Sequence, residues 1–128
     1  MNLNCSPGNM PKNVVLGASP NHSRYSNKAV RSLLKRDHEV VPVGTKSGEI
    51  KELEIKTGMP DIDNVDTVLL YLAPNRQSEY YDYVIGLKPR RVIFNPGTHN
   101  PEFIELLKEK DIEAVEDCAL IMLNSGEY

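Results

Sequence analysis

The stretch from Asn13 to Ala29 constrains the fold of this chain more than any other. It reads as a buried strand (Val14, Val15, Leu16), a small polar turn that opens at Gly17, and the start of a helix. A first strand feeding a helix through small residues is how an open α/β sheet offers backbone N–H groups to a phosphate. Gly17 and Ala18 allow close approach to the backbone, Ser19, Asn21 and Ser23 supply short hydrogen-bonding side chains, and Arg24 adds a positive charge. The same residue types also serve an ordinary βα connection. Ser19 and His22 stand where a Gly-x-Gly-x-x-Gly fingerprint starting at Gly17 needs glycine, and no Gly-Lys-Ser/Thr follows to make a Walker A loop. The pattern therefore points to an anion or nucleotide without naming which.

The rest of the chain continues in α/β alternation. Ala29, Val30, Leu33 and Leu34 recur at helical spacing within Tyr25–Arg36, with Lys28, Arg31, Lys35 and Arg36 facing out. Glu39–Val43 is a second strand, and Pro42 within it needs a position without a ladder bond. Glu49–Asn64 is ambiguous, its Ile50, Leu53 and Ile55 suiting a short edge strand or a helical turn. Val65–Leu72 is a third strand, dense enough in apolar residues to be covered on both faces. Asn75 is placed to cap a helix over Arg76–Leu87, whose Tyr80, Tyr81 and Tyr83 read as packing residues. Arg91–Asn95 is a fourth strand, and Lys88, Arg90 and Arg91 at its start read as a solvated basic turn. Asn100 caps a helix with Pro101 at its first position, and Ile112–Glu116 is a fifth strand. Leu120–Leu123 packs back on the sheet. The expected architecture is a mostly parallel five-stranded sheet with helices on both faces.

Ligands of such sheets bind outside the carboxyl ends of the strands. The loops there are Gly17–Arg24, Gly44–Ser47, Ala73–Asn75, Asn95–His99 and Asp117–Ala119. They hold Arg24 and Lys46 against a single acid, Asp117, in a chain of net charge −3. The mouth is thus expected to be neutral to positive, which suits an anionic, nucleotide-like ligand. An NAD site would carry Asp or Glu at the end of the second strand; here Val43 is followed by Gly44, Thr45 and Lys46, and a cation suits a phosphate near the adenosine ribose.

Composition narrows the class further. A length of 128 residues fits one domain, read over 13–128 behind a flexible lead-in over 1–12. The negative balance weighs against a nucleic-acid binder. No apolar run forms a signal peptide or a membrane span. Cys5 and Cys118 sit in no Cys-x-x-Cys motif, which suits a reducing cytoplasm, and Cys118 reads as inert packing. His22, His38 and His99 lack metal-ligand spacing, so no metal is expected. Gly17-Ala18-Ser19 and Tyr71-Leu72-Ala73 lack the carboxylates of a receiver domain's magnesium site. No catalytic arrangement is evident.

The ordered segments Val15-Leu16-Gly17-Ala18-Ser19-Pro20, Val41-Pro42-Val43-Gly44, Tyr71-Leu72-Ala73-Pro74 and Asn95-Pro96-Gly97-Thr98, with the tail Val115–Leu123, carry a resemblance. Over Asn13–Tyr128 the chain resembles the small stand-alone CoA-binding domain family, related to the CoA-binding domain of the succinyl-CoA synthetase α subunit. The resemblance implies a three-layer Rossmann-like fold that binds CoA or an acyl-CoA. It implies the pyrophosphate on the Gly17–Arg24 turn, a CoA phosphate on Lys46, and adenosine and pantetheine flanked by Ala73-Pro74 and Pro96-Gly97-Thr98. The candidate binding residues are thus Gly17, Ala18, Ser19, Asn21, Arg24, Val43, Gly44, Lys46, Ala73, Pro74, Asn75, Pro96, Gly97 and Thr98. His99 and Asp117 depart from the Glu and Ala expected in close relatives. The synthetase's phosphorylated histidine belongs to a domain absent here, so no catalytic residue carries over. An NAD(P)-type module, and a regulatory protein with a decayed nucleotide site, are the alternative readings. A protein partner or a homo-oligomer is compatible with each.

Overall fold

The computed structural model describes residues 10–128. Its elements are, in order, β1 (Lys12–Leu16), α1 (Tyr25–Lys35), β2 (Glu39–Gly44), β3 (Glu49–Ile50), β4 (Leu53–Glu54), β5 (Lys56–Thr57) and β6 (Val65–Leu70). Two short 3-10 turns follow (Pro74–Arg76 and Ser78–Tyr80), then α2 (Tyr81–Leu87), β7 (Arg91–Phe94), α3 (Pro101–Glu109), β8 (Glu113–Glu116) and α4 (Ala119–Ser125).

Alternation along the central strands builds the three layers. Val14, Leu16, Val68, Leu70, Val92 and Phe94 point to one face, where they pack with Val84 of α2 and with Phe103 and Leu107 of α3. Val15, Leu69 and Ile93 point to the other, against Ala29, Val30 and Leu33 of α1 and Ala119, Met122 and Leu123 of α4. Both faces are covered, so β1, β6 and β7 read as nearly continuous apolar runs.

The main sheet is parallel throughout, in the order β5-β2-β1-β6-β7-β8. It has six strands rather than the expected five. The extra strand, β5, is two exposed polar residues that pair with Val43 and Gly44, too short to leave a periodic signal. The part of the ambiguous segment Glu49–Asn64 that precedes β5 is an antiparallel β3–β4 hairpin that buries Ile50. Pro42 pairs in register with Val15. Val43 turns its carbonyl toward the β1 side, so neighbouring Pro42 directs its missing N–H outward, where β5 pairs only with Val43 and Gly44.

Three further expectations need correction. The helix expected over Arg76–Leu87 begins only at Tyr81, and Asn75 lies inside a 3-10 turn instead of capping it. The cause is Gln77, fully buried, whose Nε2 donates to the carbonyls of Leu72 and Thr98 at 2.9 Å each and winds the chain tightly there. Arg91 is buried rather than solvated: its Nε donates to Thr67 Oγ1 at 3.0 Å, its Nη2 to the Tyr128 carbonyl at 2.8 Å, and its guanidinium lies 4.5 Å from the Tyr128 ring centre. Finally, β1 begins at Lys12, within the span assigned to the lead-in; positions 1–9 of that span lie outside the described residues. The Asn100 cap is as expected, its Oδ1 accepting from Phe103 N at 3.2 Å with Pro101 opening α3. Among the described residues no helix is long and apolar enough to cross a membrane.

Candidate functional site

Strand order reverses direction at β1, with β2 on one side and β6 on the other. An open sheet leaves a crevice at the carboxyl ends of the strands flanking such a reversal. A cleft of about 460 Å³ lies there. Its floor is the end of β1 (Leu16, Gly17), the end of β2 (Val43, Gly44) and the residues after β6 (Tyr71, Leu72, Ala73).

The turn after β1 is locked before any ligand arrives. Gly17 has φ +98°, and a Cβ there would lie 3.0 Å from the Tyr71 carbonyl carbon, so glycine is required twice over. The N–H groups of Gly17 and Ala18 both donate to the Val43 carbonyl at 2.9 Å, and Tyr71 N donates to Leu16 O at 2.9 Å. Those first two N–H groups are therefore committed to joining β1 and β2. Asn21 braces the turn: its N–H donates to Ser19 Oγ at 3.1 Å, and its Oδ1 accepts from Ser23 N and Oγ at 3.0 and 2.8 Å. The buried Asn27 of α1 donates to the Ser19 carbonyl at 2.8 Å.

The helix end beside this turn is open. Among the described residues no side chain caps α1; its first turn holds no acid, and its N-cap residue is Arg24. Ser19, Arg24, Tyr25 and Ser26 line the cleft around that end. The positive pole of the helix and its unpaired N–H groups thus face the cavity. Lys46 enters from the loop after β2, and Arg76 from the 3-10 turn after β6. Among the described residues Arg24, Lys46 and Arg76 form no ion pair, and no acidic side chain lines the cleft. Three cations without an ion-pair partner among the described residues and a helix N-terminus give this cleft a positive field in a protein of net charge −3.

The cleft gathers Gly17, Ala18, Ser19, Arg24, Val43, Gly44, Lys46, Ala73 and Pro96 from the sequence-derived set. Asn21, Pro74, Asn75, Gly97 and Thr98 are not part of its wall. Thr98 is buried, donating to the Asn95 carbonyl at 2.7 Å, and Gly97 forms the adjoining turn at φ +90°. Arg76, Tyr25, Tyr80 and Tyr71 line the cleft without having been singled out. Arg76 was legible in principle, as the first cation beyond Ala73-Pro74, but assigning it to a helix hid it. The Tyr71 hydroxyl is buried and has no hydrogen-bond partner among the described residues, and burial pushes its ionisation well above the usual range for tyrosine.

A polar network fixes the remaining edge. Asn95 Nδ2 donates to Leu70 O at 3.1 Å while its Oδ1 accepts from Ala119 N at 2.8 Å, tying β6 to the start of α4. Asn100 Nδ2 donates to Gln77 Oε1 and to the Tyr81 hydroxyl, both at 2.9 Å. Exposed His99 pairs through Nδ1 with Glu116, and Cys118 is a partly buried free thiol. Among the described residues no three His, Cys, Asp or Glu side chains group as a metal site would.

A parallel sheet covered by helices on both faces, with a cleft at its strand-order reversal, defines a Rossmann-like α/β domain. The sequence model of the CoA binding domain matches residues 12–124, and the chain belongs to that family. A crystal structure of an uncharacterized protein is 46% identical, with a TM-score of 0.90, covering 93% of this chain and 98% of the other. A protein from Thermus thermophilus is 24% identical with a TM-score of 0.81, covering 94% of this chain and 92% of its own. A hypothetical protein from Pyrococcus horikoshii OT3 is 23% identical with a TM-score of 0.80, covering 93% and 84%. The last two show the fold alone. The chain matches no curated protein. Family membership supports CoA binding in general and a small-molecule ligand.

Proposed function

We propose that the chain binds CoA, or an acyl-CoA, in the cleft at the carboxyl ends of β1, β2 and β6, with no catalytic step of its own. The observation that carries this reading is the convergence of Arg24, Lys46 and Arg76, without an ion-pair partner among the described residues, on the end of α1, where those residues supply neither a side-chain cap nor an acid to the wall. CoA brings a pyrophosphate and a 3′-phosphate to one nucleotide, and an α-helix N-terminus beside separate cations suits two such anionic groups. Lys46, past the end of β2, takes the 3′-phosphate; the α1 end with Ser19 and Arg24 takes the pyrophosphate. NAD fits less well, because the residues after Val43 provide no carboxylate for ribose hydroxyls. Cytoplasmic residence belongs to this same reading.

Parallel calorimetric titrations with CoA, dephospho-CoA, NAD and NADP test it. CoA is expected to bind with micromolar affinity and NAD far more weakly. Lys46→Ala is expected to weaken CoA by about tenfold and dephospho-CoA by much less, as for loss of one charge-assisted contact. Equal losses for both ligands would remove the 3′-phosphate role. Silence from all four ligands would make this a scaffold with a decayed nucleotide site.

A further inference from the structure

Away from the cleft, the outward side of α1 bounds a groove of about 750 Å³ whose charged lining, among the described residues, is entirely cationic. Lys28, Arg31, Lys35 and Arg36 come from α1 and its C-cap, and Lys51 comes from the β3–β4 turn. Helical spacing sets the four in one stripe. A merely solvated helix face is commonly laced with Glu–Lys pairs, yet residues 25–36 contain no acid at all. Among the described residues none of these five cations forms an ion pair.

Both arginines are nonetheless held in place. Arg31 donates from Nε to Asn27 Oδ1 and from Nη2 to the His22 carbonyl, each at 2.8 Å. Arg36 donates from Nη1 to Ser32 Oγ at 2.7 Å and from Nη2 to Asn124 Oδ1 at 3.0 Å. Neutral acceptors fix the direction of a guanidinium while leaving its charge unspent and other N–H donors free. Lys51 sits with Glu52 in the two-residue β3–β4 turn, at φ +51° and +71°.

We propose that this face of α1 docks an acidic segment of a partner protein. The stripe from Lys28 to Arg36 spans about 12 Å of helix, a length matched by a short peptide segment bearing several carboxylates. Leu34 adds an apolar contact to the groove lining. A nucleic acid or an anionic bilayer presents a broad negative field, which would also meet the chain's 18 acidic residues and its net charge of −3. Lys28 lies 5.1 Å from the centre of the Tyr25 ring, and Tyr25 lines the cleft, so a docked segment sits beside the cleft mouth.

Fluorescence titration with a short synthetic peptide rich in glutamate and leucine tests the surface. The combined variant Lys28→Gln/Lys35→Gln/Lys51→Gln is expected to bind it about tenfold more weakly, and rising salt is expected to weaken the wild-type complex in the same direction. Among the described residues the side chains of these lysines make no hydrogen bond, only the contact of Lys28 with the Tyr25 ring, so the variant is expected to keep its fold; Arg31→Gln/Arg36→Gln is the companion that reads the anchored charges. Titration of the lysine variant with CoA gives a separate readout, expected to be unchanged, so failure of the docking face and failure of the CoA reading are distinguishable. Peptide affinity that ignores both variants would overturn the proposal. Tighter binding to a single-stranded oligonucleotide or to phosphatidylserine vesicles than to the peptide would overturn it as well.

Discussion

A Cβ built on Gly44 would stand 2.2 Å from the carbonyl oxygen of Ala18. Neither side can yield locally, because Ala18 N is bonded to Val43 O at 2.9 Å and Gly44 pairs with Thr57 of β5. Gly44→Ala therefore forces the end of β2 away from the turn that walls the cleft. The expected cost is about 2 kcal/mol or more in urea unfolding, with ligand affinity falling alongside. Unaltered stability would mean that this turn shifts freely.

Gln77 holds the loops at the carboxyl edge from within the core. Gln77→Leu leaves the carbonyls of Leu72 and Thr98 and one Asn100 N–H without their partners. Buried groups left unpaired cost about 1–3 kcal/mol each, so a loss of about 2–4 kcal/mol is expected after partial relaxation. Chemical denaturation measures it, and amide exchange at Thr98 and Asn100 is expected to accelerate.

Acid weakens the amino-terminal edge of the sheet through Asp66. Hydrogen bonds from the Arg90 guanidinium, at 2.9 and 3.1 Å, chiefly hold its carboxyl below the ordinary carboxylate range; partial burial opposes them and the Thr67 hydroxyl helps. A depressed carboxyl stabilises the fold above its unfolded pKa of about 3.9, and that contribution is lost as pH falls further. Arg90 is largely exposed, so the contribution is about 0.5–1 kcal/mol. The stability gap between wild type and Asp66→Asn is expected at pH 7 and to close in acid. A gap that persists in strong acid would assign the effect to something other than this charge.

Base acts through tyrosines. Burial pushes Tyr83 up to about 12 and Tyr128 up to about 12. Each hydroxyl donates a hydrogen bond, Tyr83 to Pro60 O at 2.6 Å and Tyr128 to Asn13 Oδ1 at 2.7 Å. The folded state favours the neutral phenol, so this stability is complete below the unfolded pKa of about 10 and is lost as pH rises toward about 12. Ultraviolet titration is expected to show phenolate appearing late and together with loss of circular dichroism. Full ionisation near pH 10 with the fold intact would contradict the burial of both rings.

What could be read from the chain alone followed its periodic and punctuating residues. Val14–Leu16 before Gly17, and Asn100-Pro101 before Phe103, carry local signals that tertiary structure leaves in place. The ends of β1 and β2 then put Gly17, Val43 and Lys46 on one cleft, as their place in an α/β order implies. Other residues depend on partners distant in sequence. Arg91 looks solvated until Tyr128 closes over it, and Gln77 is one unmarked position of an expected helix until Thr98 is beside it. Lys56 and Thr57 form a strand only because the end of β2 is there to pair with. Arg76 reaches the cleft because the chain turns tightly around Gln77.

The main sheet ends on one side in β5, two residues long, and on the other in β8, whose Glu113 and Glu116 are exposed at its two ends. Among the described residues neither margin offers a long, bare, uncharged strand on which a second chain could add by backbone pairing. The fold thereby shields its apolar central strands from recruitment into intermolecular sheets, and concentrated solutions of the folded protein are expected to resist β-aggregation for as long as β1, β6 and β7 stay enclosed.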